Sequence, residues 1–388
     1  MAHQTTSGSN TALLTGPGAD NGAISTTTER RALYLKLFSG EMFKGFQHNT
    51  IARDLVMKRT IKNGKSLQFI YTGRTGAEYH TPGNSILGNS DSAPPVAQKT
   101  ITVDDLLISS AFVYELDETL AHYDLRGEIS RKIGYALAEK YDRKIFQAIT
   151  KSARKASPIT KTNYVEPGGT QVRVGTTTNG SDAYSATALV NAFYDAAAAL
   201  DEKGVSTEGR VGVLNPRQYY ELIQQVGENG LINRDEQGTA RQKGNGIVEI
   251  AGIKIYKSMN IPFFGRYGTK FGTGSATNPG VTSPGNIGDF VEVEMVDETA
   301  GTGAVKTINN YGNGTSDFEN SCGLIFQREA AGCVEAIGPQ VQVTSGDVSV
   351  IYQGDVILGR LAMGADYLNP AAAVELYAGT ATAPAAFG

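Results

Sequence analysis

Ile129, Ile133, Leu137, Tyr141 and Ile145 recur every four residues, and Ala136, Phe146 and Ile149 join the same face. Apolar side chains at that spacing fall on one side of an α-helix, so the pattern predicts one long amphipathic helix. Asp124 stands where an N-cap belongs, and Pro158 follows the end. About 28 residues of helix would span roughly 42 Å. So long a rod is unexpected in a chain with 46 glycines and 13 prolines, a composition that turns often and does not suit a helical bundle. The helix reads as a spine for an α+β fold.

Around it the chain is uneven. Residues 1–28 are Ser, Thr, Gly, Asn and Ala with almost no large apolar side chains, too few to offset their ordering entropy. In residues 29–46, by contrast, Leu33, Leu35, Leu37, Phe38, Met42, Phe43 and Phe46 crowd together. A sticky stretch joined to a polar one fits a docking arm, and equally a first core helix behind a disordered tag. Residues 51–105 alternate β-type pieces with turns. Asn63-Gly64 between LVMKRTI and SLQFIYTGR is a hairpin signal. In the second piece Leu67, Phe69 and Tyr71 share one side. The polar stretch HTPGNSILGNSDSAPPVAQ then separates it from KTITVDDLLISSAFVYEL. Two extended arms with a long polar excursion between them predict a projecting hairpin loop. Its cations Lys58, Arg59, Lys62, Lys65 and Arg74 suit an acidic neighbour, or simple solvation.

A second helix is expected over 185–203, with Ser185 as cap, Leu189, Phe193, Ala196, Ala197 and Leu200 on one face, and Gly204 as stop. RVGVL reads as a strand, Asn215-Pro216 as the start of a helix through QYYELIQQV, and residues 247–262 as a strand pair around Gly252. From about 265 to 320 the chain is mostly Gly, Thr, Ser and Asn, with one strand-like island at 289–296. β-type segments complete it.

Bulk properties narrow the function. Lys plus Arg number 35 against 39 for Asp plus Glu, a formal charge of −4. Nucleic-acid readers usually carry a basic excess, because affinity comes from neutralised phosphates. The two cysteines, Cys322 and Cys333, are too few for a disulfide framework and read as reduced thiols. The N-terminus lacks the basic start and apolar core of a secretory signal, and no apolar run is long enough for a membrane span. The chain is expected to be made in the cytoplasm.

A search for chemistry finds little. His3, His48, His80 and His122 show no metal-ligand spacing, and no CxxC occurs. Gly64-Lys65-Ser66 lacks the glycine a phosphate loop needs, since Arg59 stands there. No GxSxG elbow is present. The acids Asp104, Asp105, Glu115, Asp117 and Glu118 are better read as strand-end and helix-start residues near a helix dipole than as a catalytic pair. No enzyme activity, cofactor or metal is expected.

Several stretches resemble major capsid proteins of short-tailed phages of the T7-like group (podoviruses, Autographiviridae). ERRALYLKLFSGEMFKGF is similar to the start of that family's arm, and KNGKSLQFIYTGRTGAEYHTPG to its extended loop. KTITVDDLLISSAFVYELDETLAHYDLRGEIS resembles the approach to its spine helix. VGVLNPRQYYELI, VEIAGIKIYKSMNIP and LGRLAMGADYLNPAAAVELY resemble segments common to HK97-type shells. The Gly/Thr-rich stretch is longer than expected for the group and points toward its marine cyanophage branch.

The resemblance implies an HK97-like fold with an N-terminal arm (1–50), an extended loop with flanking strands (51–105), and a peripheral domain holding the spine helix (106–159). An axial domain (160–337, with the insert 265–320) and peripheral C-terminal strands (338–388) would follow. It implies a shell of hexamers and pentamers around double-stranded DNA, built on scaffolding protein and portal and enlarged by expansion, with room for a decoration protein. Loop contacts would come from Lys58, Arg59, Lys62, Lys65, Arg74, Glu78 and Tyr79, and arm contacts from the apolar residues of 29–46. A lysine–asparagine cross-link between copies, for which Lys58, Lys62 or Lys65 with Asn369 would be candidates, is not expected of this group. An encapsulin-type compartment shares the fold; the long arm and the axial insert argue against it.

Overall fold

The computed structural model describes residues 51–75, 79–85, 94–103, 106–115, 125–161, 164–176, 181–224, 249–258, 260–261, 321–343, 352–378 and 382–383. The arm (1–50), Asp124, Glu78 and the insert (265–320) lie outside them.

The expected spine is helix α1, Leu125–Arg154, 30 residues long. Its apolar row Ile133, Leu137, Tyr141, Ile145, Phe146 and Ile149 is buried. Two sheets lie against it. The first has four strands in the order β1 (Met57–Thr60), β12 (Ala331–Val343), β13 (Gly354–Tyr367), β4 (Leu107–Tyr114). The N-terminal half of α1 covers one face of this sheet through Ile133 and Leu137, against Val113 and Ile357.

The second sheet has six strands: β7 (Thr170–Arg173), β14 (Ala373–Tyr377), β11 (Ser321–Gln327), β8 (Arg210–Leu214), β10 (Ile253–Lys257), β9 (Glu249–Ile250). Its inner strands β8 and β11 are apolar on both faces because both faces are covered. Val211, Val213, Leu324 and Phe326 meet the C-terminal half of α1. On the other side lie α2 (Ala186–Glu202) and α3 (Pro216–Gln224), packed through Leu189, Phe193, Ala196, Leu200, Tyr219 and Leu222. Both helices match the sequence expectation, although the Ser185 hydroxyl makes no capping hydrogen bond. β9 and β10 pair antiparallel around Gly252, as expected.

A separate antiparallel ribbon, β2 (Ser66–Thr72) with β3 (Val96–Thr102), pairs from Ser66–Thr102 to Thr72–Val96. Two tiny strands, β5 (Thr160–Lys161) and β6 (Tyr164–Val165), pair with each other.

Two expectations are corrected here. Asn63-Gly64 is a genuine turn, with Gly64 in the left-handed region at φ 96°, but it does not close a hairpin. β1 runs parallel to β12 in the four-stranded sheet, while β2 pairs with β3. The turn chemistry bends the chain; the sheet each strand joins is decided by distant partners. The strands of 338–388 also part company: β13 belongs to the four-stranded sheet, whereas β14 inserts between β7 and β11.

Candidate functional site

The ribbon is the element least committed to the subunit's own core. A lone two-stranded ribbon is marginal by itself, so what it rests on matters. Its alternation gives two faces. Leu67, Phe69, Tyr71, Ala97, Lys99 and Ile101 turn toward the body; Gln68, Ile70, Thr72, Val96, Gln98 and Thr100 turn away. At its root Ile101 and Val103 sink into an apolar cluster with Val334 and Ala362. On the outward face Ile70 and Val96 are 75% and 63% exposed. Beyond the strands, Tyr79 is fully exposed.

The cations predicted from sequence divide into two groups. Lys58 and Arg59 on β1 and Lys62 and Lys65 around the turn are all exposed, a strip beside the ribbon's root. Arg74 differs. Its backbone N–H and its Nε both address the carboxylate of Glu166, the latter at 3.8 Å, and its Nη2 donates to the Lys203 carbonyl at the end of α2. Glu166 is only 3% exposed. The structure thus brings Arg74 to its own subunit, apart from the strip.

The Lys203 ammonium lies just beneath, donating to the Gly168 carbonyl at 2.5 Å and to the Thr170 hydroxyl. Burial lowers its pKa to about 8. Midway along the ribbon Lys99 pairs with Asp366 at 2.8 Å and sits over the Tyr367 ring. Between ribbon and body remains a groove of about 460 Å³, lined by Phe69, Tyr71, Lys99, Glu166, Lys203 and Asn369 among others. Glu166, Lys203, Lys99 and Asp366 carry no local sequence signal; only the folded chain shows their role.

A second polar network fixes the start of β1. Arg53 Nε and Nη2 reach both oxygens of Glu335 at 3.1 and 3.0 Å, and the Tyr141 hydroxyl donates to Glu335 Oε1 at 2.7 Å. Burial pushes the Glu335 carboxyl up, but these hydrogen bonds outweigh it and hold it below its ordinary value. Burial raises the neighbouring Cys333 thiol to about 11. Both cysteines are free and buried, which fits inert thiols. Asp142 on α1 accepts from the backbone N–H of Ile51 (3.0 Å) and Ala52 (3.1 Å) and from Asn260 Nδ2 (3.4 Å).

Among the described residues no group of His, Cys, Asp and Glu is placed to hold a metal, and no helix is long and apolar enough to cross a membrane. The arrangement offers surfaces and fastenings rather than a reaction centre. The apolar arm residues Leu33 to Phe46, and Glu78, lie outside the described residues.

Comparison with known proteins bears on what those surfaces meet. A family model described as Gp10A-like major capsid protein matches residues 68–302. The major capsid protein of Escherichia phage T7 is 26% identical over 356 residues, covering 89% of this chain and 91% of that protein. The capsid structure of cyanophage P-SCSP1u superposes with a TM-score of 0.66 at 30% identity, over 92% of this chain and 96% of that one. The mature capsid of bacteriophage PhiM1 shares the fold at 14% identity, with a TM-score of 0.60 over 93% and 94% of the two chains.

Proposed function

The chain belongs to the Gp10A-like family of major capsid proteins, and from that premise we propose how its surfaces are used in the icosahedral shell that such a protein builds. Copies of the chain associate with one another in an HK97-like shell. The ribbon β2–β3 lies on a neighbouring copy, its outward residues Ile70 and Val96 covered there, with Tyr79 and Glu78 of the connecting loop at the same contact. The strip Lys58, Arg59, Lys62 and Lys65 faces acidic surface of a neighbour. The apolar arm residues Leu33, Leu35, Leu37, Phe38, Met42, Phe43 and Phe46 dock on another copy. Residues 51–105 act as the extended loop, the spine and four-stranded sheet as the peripheral domain, and the six-stranded sheet with α2 and α3 as the axial domain.

One observation carries this reading: the ribbon pairs with no other strand of its subunit and leaves Ile70 and Val96 largely bare. Large exposed apolar residues on a projecting element are what a protein contact buries. Hexamers and pentamers need such head-to-tail contacts, because a ring closes only when one surface meets a different one. We further propose that assembly proceeds on a scaffolding protein and a portal, that the shell enlarges as double-stranded DNA enters, and that the DNA is touched without specific binding. The net charge of −4 supports a wall that does not trap densely packed DNA.

The test is electron microscopy of the chain expressed alone and with the phage's scaffolding protein. Regular closed particles only with scaffold are expected. A small monodisperse species under both conditions would overturn the assembly route.

A further inference from the structure

The groove beneath the ribbon is neither filled by side chains nor sealed by apolar packing. It is spanned by polar contacts at two points: Lys99 to Asp366 midway, and Arg74 to Glu166 and Lys203 at the far end. We propose that Arg74 is a positioning residue, a clamp that sets the angle at which the ribbon leaves the subunit and thereby presents Ile70 and Val96 to a neighbouring copy. The proposal rests on the reading of the ribbon as an assembly contact, but the clamp itself is a property of the single subunit.

Four features support it. The ribbon's two ends are held by different forces. At the root Ile101 is 1% exposed in an apolar cluster, which does not release without opening the core. The far end has no such anchor, so its hold depends on Arg74.

The carboxylate that Arg74 engages is buried at 3% exposure. An unpaired carboxylate there is costly, which makes Glu166 a strong acceptor for the guanidinium.

Gly73 leaves room for this approach. A Cβ there would stand 2.7 Å from Pro95 and 2.8 Å from the Glu166 carboxylate. The Gly73 N–H also closes the ribbon on the Pro95 carbonyl at 2.8 Å, so the clamp acts where both strands end.

Arg74 bridges two elements of the body, the loop before β7 and the end of α2. Two fixed points define an angle, where one would leave a swivel. The fork of guanidinium donors suits this task, and a lysine ammonium reaches one acceptor at a time.

Amide hydrogen exchange on the full-length, unassembled subunit tests the clamp. Arg74→Ala is expected to speed exchange about tenfold at Ile70–Gly73 and Val96–Gln98, an effect sized for charge-assisted hydrogen bonds on a half-exposed side chain. Exchange near Leu67 and Ile101 should stay unchanged. Glu166→Gln should act on the same amides, the double variant should add little, and Arg74→Lys should recover part of the protection. Unchanged exchange at the ribbon end, or uniform acceleration through the whole subunit, overturns the proposal. In the assembly assay Arg74→Ala should yield particles of mixed size from protein that melts like wild type. Wild-type protein that does not assemble would count against the assembly reading alone, leaving the exchange result to judge the clamp.

Discussion

Arg154, in the last turn of α1, and Glu375, in the middle strand segment of β14, form a two-pronged ion pair with both side chains wholly buried. Nε meets Oε2 at 2.7 Å and Nη2 meets Oε1 at 2.6 Å. Gln171 on β7 completes the shell by donating to Oε2 at 3.0 Å. The pair ties the end of the spine to the six-stranded sheet. Removing one partner strands a buried charge, so Arg154→Ala should lower subunit stability by about 3–5 kcal/mol. Replacing both, Arg154→Met with Glu375→Leu, should recover most of it. Urea unfolding of the unassembled subunit reads the difference; equal losses in single and double variants would refute the account.

Asp142 gathers three donors from two distant segments, residues 51–52 and Asn260. Asp142→Ala leaves buried N–H groups without an acceptor and should cost about 3 kcal/mol. It should also free the chain around Arg53, so trypsin cleaves there faster. Asp142→Asn keeps an acceptor oxygen and should lie between the two.

Lys203 titrates at about 8 in the folded subunit, below the ordinary 10.5, because burial penalises its charge. Between those values the unfolded chain holds a proton that the folded one has released, so stability rises with pH across that window. Below pH 8 both states are protonated and the burial cost is fully felt. Lys203→Met should therefore flatten the pH dependence of the melting temperature between pH 8 and 10. An unchanged slope would show that the ammonium is not what titrates.

The strip Lys58, Arg59, Lys62 and Lys65 is exposed and forms no ion pair with a described residue. Reversing its charges should change subunit stability by no more than about 0.5 kcal/mol per site. Assembly should fall sharply, and wild-type assembly should weaken as salt screens the contact. Light scattering across a salt series checks both, and charge-reversed protein assembling at the wild-type rate would remove the strip from the interface.

The helices were legible because their information is local. Ile129 to Ile145 announce the spine by spacing alone, and Asn215-Pro216 marks the start of α3. The HK97-like fold came from resemblance spread along the chain, and the matched family and structures agree with it. Pairing was less legible. Nothing near Asn63-Gly64 says that Met57 will lie beside Gly332, since a strand's partner is chosen by burial elsewhere. Arg74 was grouped with the strip by charge and proximity in sequence; its acceptor, Glu166, lies in a segment with no motif. Sequence gives the sign of a charge, and only the fold gives its counterpart.

The parallel pairing of β1 with β12 also sets an order in time. β1 leaves the ribosome early, yet its partner emerges roughly 275 residues later, a delay of about 15–55 s at common rates of bacterial translation. Until then the strip on β1 has no sheet to hold it in place. A chain still being made cannot present that surface in its final form, so only finished subunits are fit to join the growing shell.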